Sequence, residues 1–338
     1  MEDSLKPIMV NHEWGALKEA VVGYPHFRVG HRVAFWFRSY YPQEAVEMQE
    51  NWIRNFSGRT IAEFDPDLHH GQVQQVDAAI KILQDRGIIV HQVKPMQPDE
   101  EKFLENFESD SIQFYPRDPI LVVGSTIIEM PLYAPFRRKE RFAIRRTIGK
   151  RISESNARVV CAPEPLPQNE SEESGYGPGP FLEGGDVFVL GRDIYVGNSG
   201  IASNKAGIRW LQDCLGEDYR VHEVRLSRKF LHLDCVLCTP RPGLAMVCEE
   251  AFLDGLPPFL KGWQLIKVSL EDAERKLACN GLVLDENTIL LAAELPELAN
   301  ELAKAGQTVV TTPFSAVYWQ GGAFRCWHHP LVRESTLS

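Results

Sequence analysis

One unit recurs along this chain and limits what it can fold into: two β-rich runs joined by a short polar or glycine turn, then a helical stretch, then a further strand. DPILVVGSTIIEMP, DVFVLGRDIYVGN and NGLVLDENTILLAAE each read as a hairpin. They are followed in turn by the helical stretches RRKERFAIRRTIGKRI, NKAGIRWLQDCLG and LPELANELAKAGQ, and by the strands ARVVCAP, YRVHEVRL and TVVTTPF. A looser copy runs from LHLDCVLCTPRPGLAMVCEE through a short linking segment to WQLIKVSL. A fifth consists of ALKEAVVGYP, a long insertion, the helix HGQVQQVDAAIKILQDRG and the strand IIVHQVKP. Alternating β and α elements usually suggest a doubly wound parallel sheet, but parallel neighbours need helical crossovers, and hairpins inside every unit argue against it. Five similar modules that each cover an apolar face favour a closed ring around a central channel. The expected fold is a five-bladed α/β propeller of pseudo-symmetric ββαβ modules, a single domain over residues 1–338 with insertions near 25–62 and 163–181.

In such a ring, residues at corresponding places in different modules converge although they lie far apart in sequence. Asp118, Glu183, His232, Asp234 and Cys326 are the polar residues that this convergence would bring to one pocket. Cys326 follows Gly321 and Gly322 in GGAFRCWHHP and is bracketed by Arg325, His328 and His329, a setting expected to favour the thiolate, since neighbouring cations lower a thiol pKa. The competing reading is a buried structural cysteine beside Trp327. In the same way His232 between leucines reads as a core histidine, Asp118 as a strand start, and Glu183 with Asp186 around two glycines as a turn.

The insertions carry less chemistry. The stretch from Pro163 to Phe181, rich in proline, glycine, serine and glutamate, reads as a mobile loop and, because it leads into Glu183, as a candidate flap. The segment FRVGHRVAFWFRSYYPQEAVEMQENW is dense in aromatics and arginine; it either lines the pocket mouth, packs in the core, or forms the subunit contact of a homodimer.

Composition narrows the class. With 338 residues and 44% hydrophobic content the chain can bury a large core. No apolar run approaches the roughly 18 residues of a membrane span, and MEDSLKP has the features of neither a signal nor a transit peptide, so a cytoplasmic protein is expected. Seven scattered cysteines fit a reducing compartment. Cys235 and Cys238 have CxxC spacing without a second pair and would face opposite sides of a strand, so no metal and no cofactor are expected. The net charge of −10 disfavours nucleic acid as a partner and suits a cationic small substrate.

The motifs YPRDPILVVGSTIIEMP, GRDIYVGNSG, DYRVHEVRL, LHLD and GGAFRCW, in an order that runs from HEWGALKEAVVG to CWHHPLVRE, resemble those of the amidinotransferases of the guanidino-group-modifying superfamily, which also contains the arginine deiminases. The resemblance implies the five-module propeller and a small guanidino donor and amine acceptor as partners. It also implies roles: Cys326 as nucleophile, His232 as general acid and base oriented by Glu183, and Asp118 and Asp234 as the carboxylates that hold a guanidinium, which presents five donors in a planar fork. Asn280 in LACNGLVL matches a recurrent position that orients the site, and Asp186 accompanies Glu183 among the binding residues.

Three departures from that pattern bear on function. Glu183 in EGGD stands where amidinotransferases usually carry aspartate, and this form is closer to the deiminases. The family's arginine for the donor carboxylate has no counterpart in CEEAFL, which leaves Arg137 or Arg325 to hold that group, or a donor other than free arginine. Arg325 also replaces the histidine that commonly precedes the cysteine. The expected activity is transfer of an amidino group from arginine or a relative to a small amine through a covalent amidino-cysteine. The alternative is hydrolysis to ammonia and a ureido product.

Overall fold

Each of the five expected modules is a three-stranded sheet with one internal order, the second strand in the middle, antiparallel to the first and parallel to the third. The structure, a computed structural model, describes residues 6–33, 37–38, 43–106, 109–165, 177–318 and 320–334. Ile120–Val123, Thr126–Glu129 and Arg158–Cys161 form one such sheet, with Ile120 opposite Glu129 and Thr126 beside Arg158. Val187–Leu190, Asp193–Asn198 and Arg220–Arg225 form the next. Leu237–Arg241, Leu244–Val247 and Gln264–Lys267 follow, then Leu282–Asp285, Thr288–Ala292 and Thr308–Thr312. The architecture is the five-bladed α/β propeller.

Helices carry the chain from second to third strand in four blades: Pro66–Gln84, Glu140–Ser153, Lys205–Leu215 and Pro296–Lys304. Their starts are chemically marked. The Asp65 carboxylate accepts from the Leu68 N–H at 3.0 Å ahead of Pro66, and the Asn204 side chain accepts from the Gly207 N–H at 2.9 Å. The looser copy lacks a helix at this point because Glu249–Ala251 and Pro258–Leu260 make only short 3₁₀ turns.

The fifth blade differs from the sequence expectation. Ala16–Val22 finds its hairpin partner in the last strand, His328–Glu334, with Val22 opposite His328 and Ala16 opposite Glu334, while Ile89–Gln92 pairs on its other side. Both ends of the chain therefore share one sheet.

Burial falls from the first strand to the third. Ile120–Val123 is buried throughout, as are all but the last residue of Val187–Leu190, Leu237–Arg241, Leu282–Asp285 and His328–Glu334. The third strands Arg158–Cys161, Arg220–Arg225 and Gln264–Lys267 are largely exposed or half-buried. The first strands thus face the middle of the ring and the third strands its rim. What precedes an inner strand enters the centre: Asp118 before Ile120, Glu183 and Asp186 before Val187, His232 and Asp234 before Leu237, Asn280 before Leu282, and Cys326 before His328.

In the described part of the aromatic insertion, Trp52 meets Phe27 and Phe64, Phe56 stacks on Phe64 at 4.7 Å between ring centres, and Phe27 packs against the main core. The candidate flap falls largely on residues 166–176, outside the described ones. Among the described residues no helix is long and apolar enough to cross a membrane.

Close backbone approach fixes where the inner segments meet. Gly23 donates its N–H to the Trp327 carbonyl at 2.8 Å, and a Cβ there would lie 1.9 Å from the Phe114 carbonyl oxygen. Gly23→Ala is expected to destabilise the protein by about 1–3 kcal/mol through backbone displacement. Gly149→Ala, in the helix Glu140–Ser153 with open space around it, should be neutral or mildly stabilising. Thermal unfolding of the two variants checks both, and equal midpoints would contradict the packing argument.

Candidate functional site

The site is assembled from turns that enter the inner strands, and glycine permits the tightest of them. In EGGD a Cβ on Gly184 would lie 2.0 Å from the Arg117 carbonyl oxygen, and one on Gly185 would lie 2.6 Å from His232 Nδ1 and 2.8 Å from Asp118 Oδ1. Two residues without side chains therefore let Glu183, Asp118 and His232 approach one another.

His232 is 2% exposed, and its Nε2–H donates to Glu183 Oε2 at 2.7 Å. Its Nδ1 lies 3.7 Å from Asp118 Oδ1. Burial opposes a charge on this ring, but Asp118, the hydrogen bond to Glu183 and the nearby Asp186 outweigh it, and the imidazole pKa is pushed up to about 10. Glu183 is fixed in turn, its Oε1 accepting the Tyr133 N–H at 3.0 Å. Asp118 Oδ1 accepts the Gly185 N–H at 2.8 Å, and Oδ2 accepts from Arg137 Nη1 at 2.7 Å. Although burial opposes its charge, His232 and Arg137 hold this carboxyl below its ordinary range.

Cys326 lies on the short helix Phe324–Trp327 and is 3% exposed. Asn280 holds that turn in place. Its Oδ1 accepts the backbone N–H groups of Ala323, Arg325 and Cys326 at 3.0–3.2 Å, and its Nδ2 donates to Cys326 Sγ at 3.2 Å and to the Asp234 carbonyl at 3.1 Å. The Cys326 S–H donates to Asp234 Oδ2 at 3.4 Å.

The expectation of a thiolate in the free protein is corrected. Burial, then the charges of Asp234 and Asp118, push the Cys326 thiol well above its ordinary range, and the Asn280 contact only partly opposes this. The neighbouring cations do not help. His328 and His329 are kept neutral by burial and by the nearby arginines; His328 Nδ1 donates to the Phe324 carbonyl, and His329 Nε2 accepts the Val122 N–H. Arg325 spends its donors on Asp234, Glu13 and two carbonyls.

Neither arginine proposed for a donor carboxylate has its fork free for one. Arg137 is spent on Asp118, Glu140 and the Tyr115 carbonyl. Arg325 bonds Asp234, Glu13 and the carbonyls of Gly185 and Val187, and lies 3.9 Å over the Phe188 ring. Asp186 takes a supporting place: its oxygens accept the Leu233 N–H at 2.9 Å and the Ser203 N–H at 3.3 Å, and burial pushes its pKa up to about 7. Cys235 and Cys238 are free thiols, pushed upward by burial. The one His/Cys/Asp/Glu group with metal-ligand spacing among the described residues is Asp118, Glu183 and His232. There the protonated ring offers Nε2–H to Glu183 and not a lone pair.

Sequence reasoning missed Glu13. Buried at the centre, it accepts from Arg117 and Arg325 on Oε2 and from the Val189 N–H on Oε1. Burial opposes its charge, yet the two arginines bring its pKa down to about 2. Its signal was the segment HEWG, an acid just ahead of the strand Ala16–Val22.

Residues 54–333 match the sequence model of a family described as N,N dimethylarginine dimethylhydrolase, eukaryotic. The chain is 28% identical to inosamine-phosphate amidinotransferase 1 of Streptomyces griseus over 94% of its own length and 95% of the relative's. It is 26% identical to the mitochondrial glycine amidinotransferase of Gallus gallus, covering 98% of this chain and 84% of that one. It is 25% identical to the L-arginine:L-lysine amidinotransferase of Pseudomonas savastanoi pv. phaseolicola, over 98% and 96%. Among solved structures, an amidinotransferase of saxitoxin biosynthesis from Microseira wollei has the same fold with a TM-score of 0.79 at 23% identity, covering 98% of this chain and 99% of that one. The dimethylarginine dimethylaminohydrolase of Pseudomonas aeruginosa, complexed with citrulline, superposes with a TM-score of 0.62 at 17% identity, over 93% and 99%.

The histidine charge is directly measurable. In ¹⁵N-labelled protein the His232 ring should remain protonated through pH 8, and Glu183→Gln should lower its midpoint by about one unit or more. Because the folded ring titrates near 10 and the unfolded ring near 6.5, its charge adds stability that is complete below pH 6.5 and is lost as pH rises through 10. A His232 midpoint at or below 6.5 would contradict the arrangement.

Proposed function

We propose that this chain, which belongs to the dimethylarginine dimethylhydrolase family of guanidino-group-modifying enzymes, is an amidinotransferase that moves an amidino group from a guanidino donor to an amine. The observation that carries the reading is likeness to amidinotransferases over 94–98% of the chain, combined with a thiol, a histidine and two carboxylates around one centre.

The free site pairs its charges internally: Asp118 with Arg137, Asp234 with Arg325, and Glu183 with the His232 imidazolium. Asp118 lies beside His232 and Asp234 beside Cys326, and their remaining lone pairs are the acceptors offered to a planar cation. A guanidinium bound there supplies the positive charge that the thiol lacks, and so favours the thiolate when it is needed. The thiol's nearest acceptor is Asp234 Oδ2.

The thiol gives its proton to Asp234 Oδ2, the sulfur attacks the central guanidinium carbon and a C–S bond forms. The His232 imidazolium gives its proton to the departing nitrogen, the C–N bond breaks, and an amidino-cysteine remains. His232, now neutral, takes a proton from the incoming amine as its nitrogen attacks; the C–S bond breaks, and the released sulfur takes back its proton from Asp234 Oδ2. A ring whose acid form is stabilised by two carboxylates suits the first half, and the same neighbours make its neutral form a strong base in the second. Arg137 and Arg325 act inside the protein, so recognition of the donor rests on its guanidinium.

Hydrolysis is the second reading. It is favoured by the family description, by the EGGD form, and by the fold likeness to hydrolases. Water in place of the amine would then break the intermediate.

The two are separated by incubating the protein with arginine alone and with a panel of primary amines, products being identified by mass spectrometry. A transferase should release at most one equivalent of ornithine per site from arginine alone and turn over further only when an amine is present, with ping-pong kinetics and a new guanidino compound. Ammonia and a ureido product from arginine alone would overturn the transferase reading.

A further inference from the structure

Arg325 is the most completely engaged side chain of the centre. Its five N–H donors make five hydrogen bonds to four acceptor atoms: Nε and Nη2 donate to Glu13 Oε2 at 3.3 and 3.1 Å, Nη2 also to the Val187 carbonyl at 2.8 Å, and Nη1 to the Gly185 carbonyl at 3.2 Å and Asp234 Oδ2 at 3.1 Å. The last of these oxygens is the one that accepts the Cys326 S–H. A line of charge therefore runs from Glu13 through Arg325 to Asp234 and ends on the thiol.

We propose that Arg325, anchored by Glu13, is a positioning residue that holds Asp234 over Cys326 and governs how readily that thiol gives up its proton. The proposal rests on Cys326 being the nucleophile of the reaction above. Arg325 contacts Asp234 and not the sulfur, so it acts through the carboxylate. Its positive charge offsets the negative field that Asp234 imposes on the thiol, and Glu13 weakens that offset from the far side. Lysine could carry the charge, but it has three donors around one point and cannot hold Asp234, Glu13 and two carbonyls in a plane.

Other charged and titratable groups face this line. Arg117 and Arg333 lie near Glu13, with Arg117 bonded to it at 3.2 Å; His328 is neutral; Asp118 acts on the thiol; and the Cys235 S–H reaches Asp234 Oδ1 at 3.8 Å. None of them contacts Asp234 Oδ2 as Arg325 and Cys326 do.

The two ends of the line predict opposite signs. Arg325→Gln leaves Asp234 uncompensated, so the thiol should ionise at higher pH. Glu13→Gln frees the charge of Arg325 to act on Asp234, so the thiol should ionise at lower pH. The readout is the pH dependence of alkylation by the neutral reagent iodoacetamide without substrate, followed on the Cys326 peptide by mass spectrometry, with circular dichroism to establish folding.

The expected shifts are about one pH unit upward for Arg325→Gln and a smaller shift downward for Glu13→Gln, one unit being about tenfold in thiolate fraction at fixed pH. Arg325→Lys should keep the midpoint near that of the wild type and lose rate in the substrate assay, since it retains charge without the planar fork. A merely structural role would lower thermal stability in all three variants and leave the midpoints together. Midpoints that do not move, or that move the same way in the two glutamine variants, overturn the proposal. If Arg325→Gln does not fold, the downward shift in Glu13→Gln and the unshifted midpoint of Arg325→Lys decide it. Because alkylation requires neither donor nor amine, the result stands apart from whether the protein transfers amidino groups.

Discussion

The antiparallel pairing of Ala16–Val22 with His328–Glu334 is the constraint on which the rest of the structure depends. It closes the ring with strands from opposite ends of the chain. It also fixes Cys326, two residues before the last strand, against the turns that enter the other inner strands. The same closure brings Glu13, just ahead of the first strand, into contact with Arg325, just ahead of the last. A chain truncated at either end would lose a strand of the fifth blade and one side of the buried ion pair together.

Charge at the centre is tolerated because it is paired. Burying an unpaired ion costs several kcal/mol, whereas one with hydrogen-bonded partners of opposite sign can be kept. Here Asp118, Glu183, Asp234 and Glu13 each face a cation, and the arrangement leaves Cys326 as a thiol and His232 as an imidazolium. This is the reverse of a preformed thiolate waiting beside a neutral base. The proposed chemistry follows from the reversal: an arriving guanidinium is the added cation that shifts the balance toward the thiolate, and the protonated ring is ready for the departing amine.

Much of this was legible in the sequence, for physical reasons. Hairpins within each repeat excluded a doubly wound sheet, and the repeat implied that equivalent turns meet; Asp118, Glu183, His232, Asp234, Asn280 and Cys326 do precede inner strands of their blades. The partner of Ala16–Val22 was harder to read, because HHPLVRE carries histidines, a proline and an arginine, and shows no alternation of apolar and polar residues. It is nonetheless buried in all but its last residue. The state of Cys326 was misread because nearness along the chain says little about where charges point. Arg325 precedes the cysteine, yet its guanidinium reaches Glu13 and Asp234, while His328 and His329 are neutral within the core. Arg137 and Arg325 likewise read as holders of a donor carboxylate, because the buried acids that engage them were not visible from the sequence. Glu13, the acid that most needs the tertiary fold to be recognised, is 312 residues away from its partner Arg325.

The central claim is that the Cys326 sulfur forms a covalent bond to the guanidinium carbon of the donor. Intact-protein mass spectrometry after brief mixing with a guanidino donor and no amine, followed by an acid quench and peptide mapping, tests it most directly. The account predicts a mass increment of one amidino group on the Cys326 peptide, absent from Cys326→Ser. Turnover in Cys326→Ser at the wild-type rate, or an increment mapped to another residue, would contradict it.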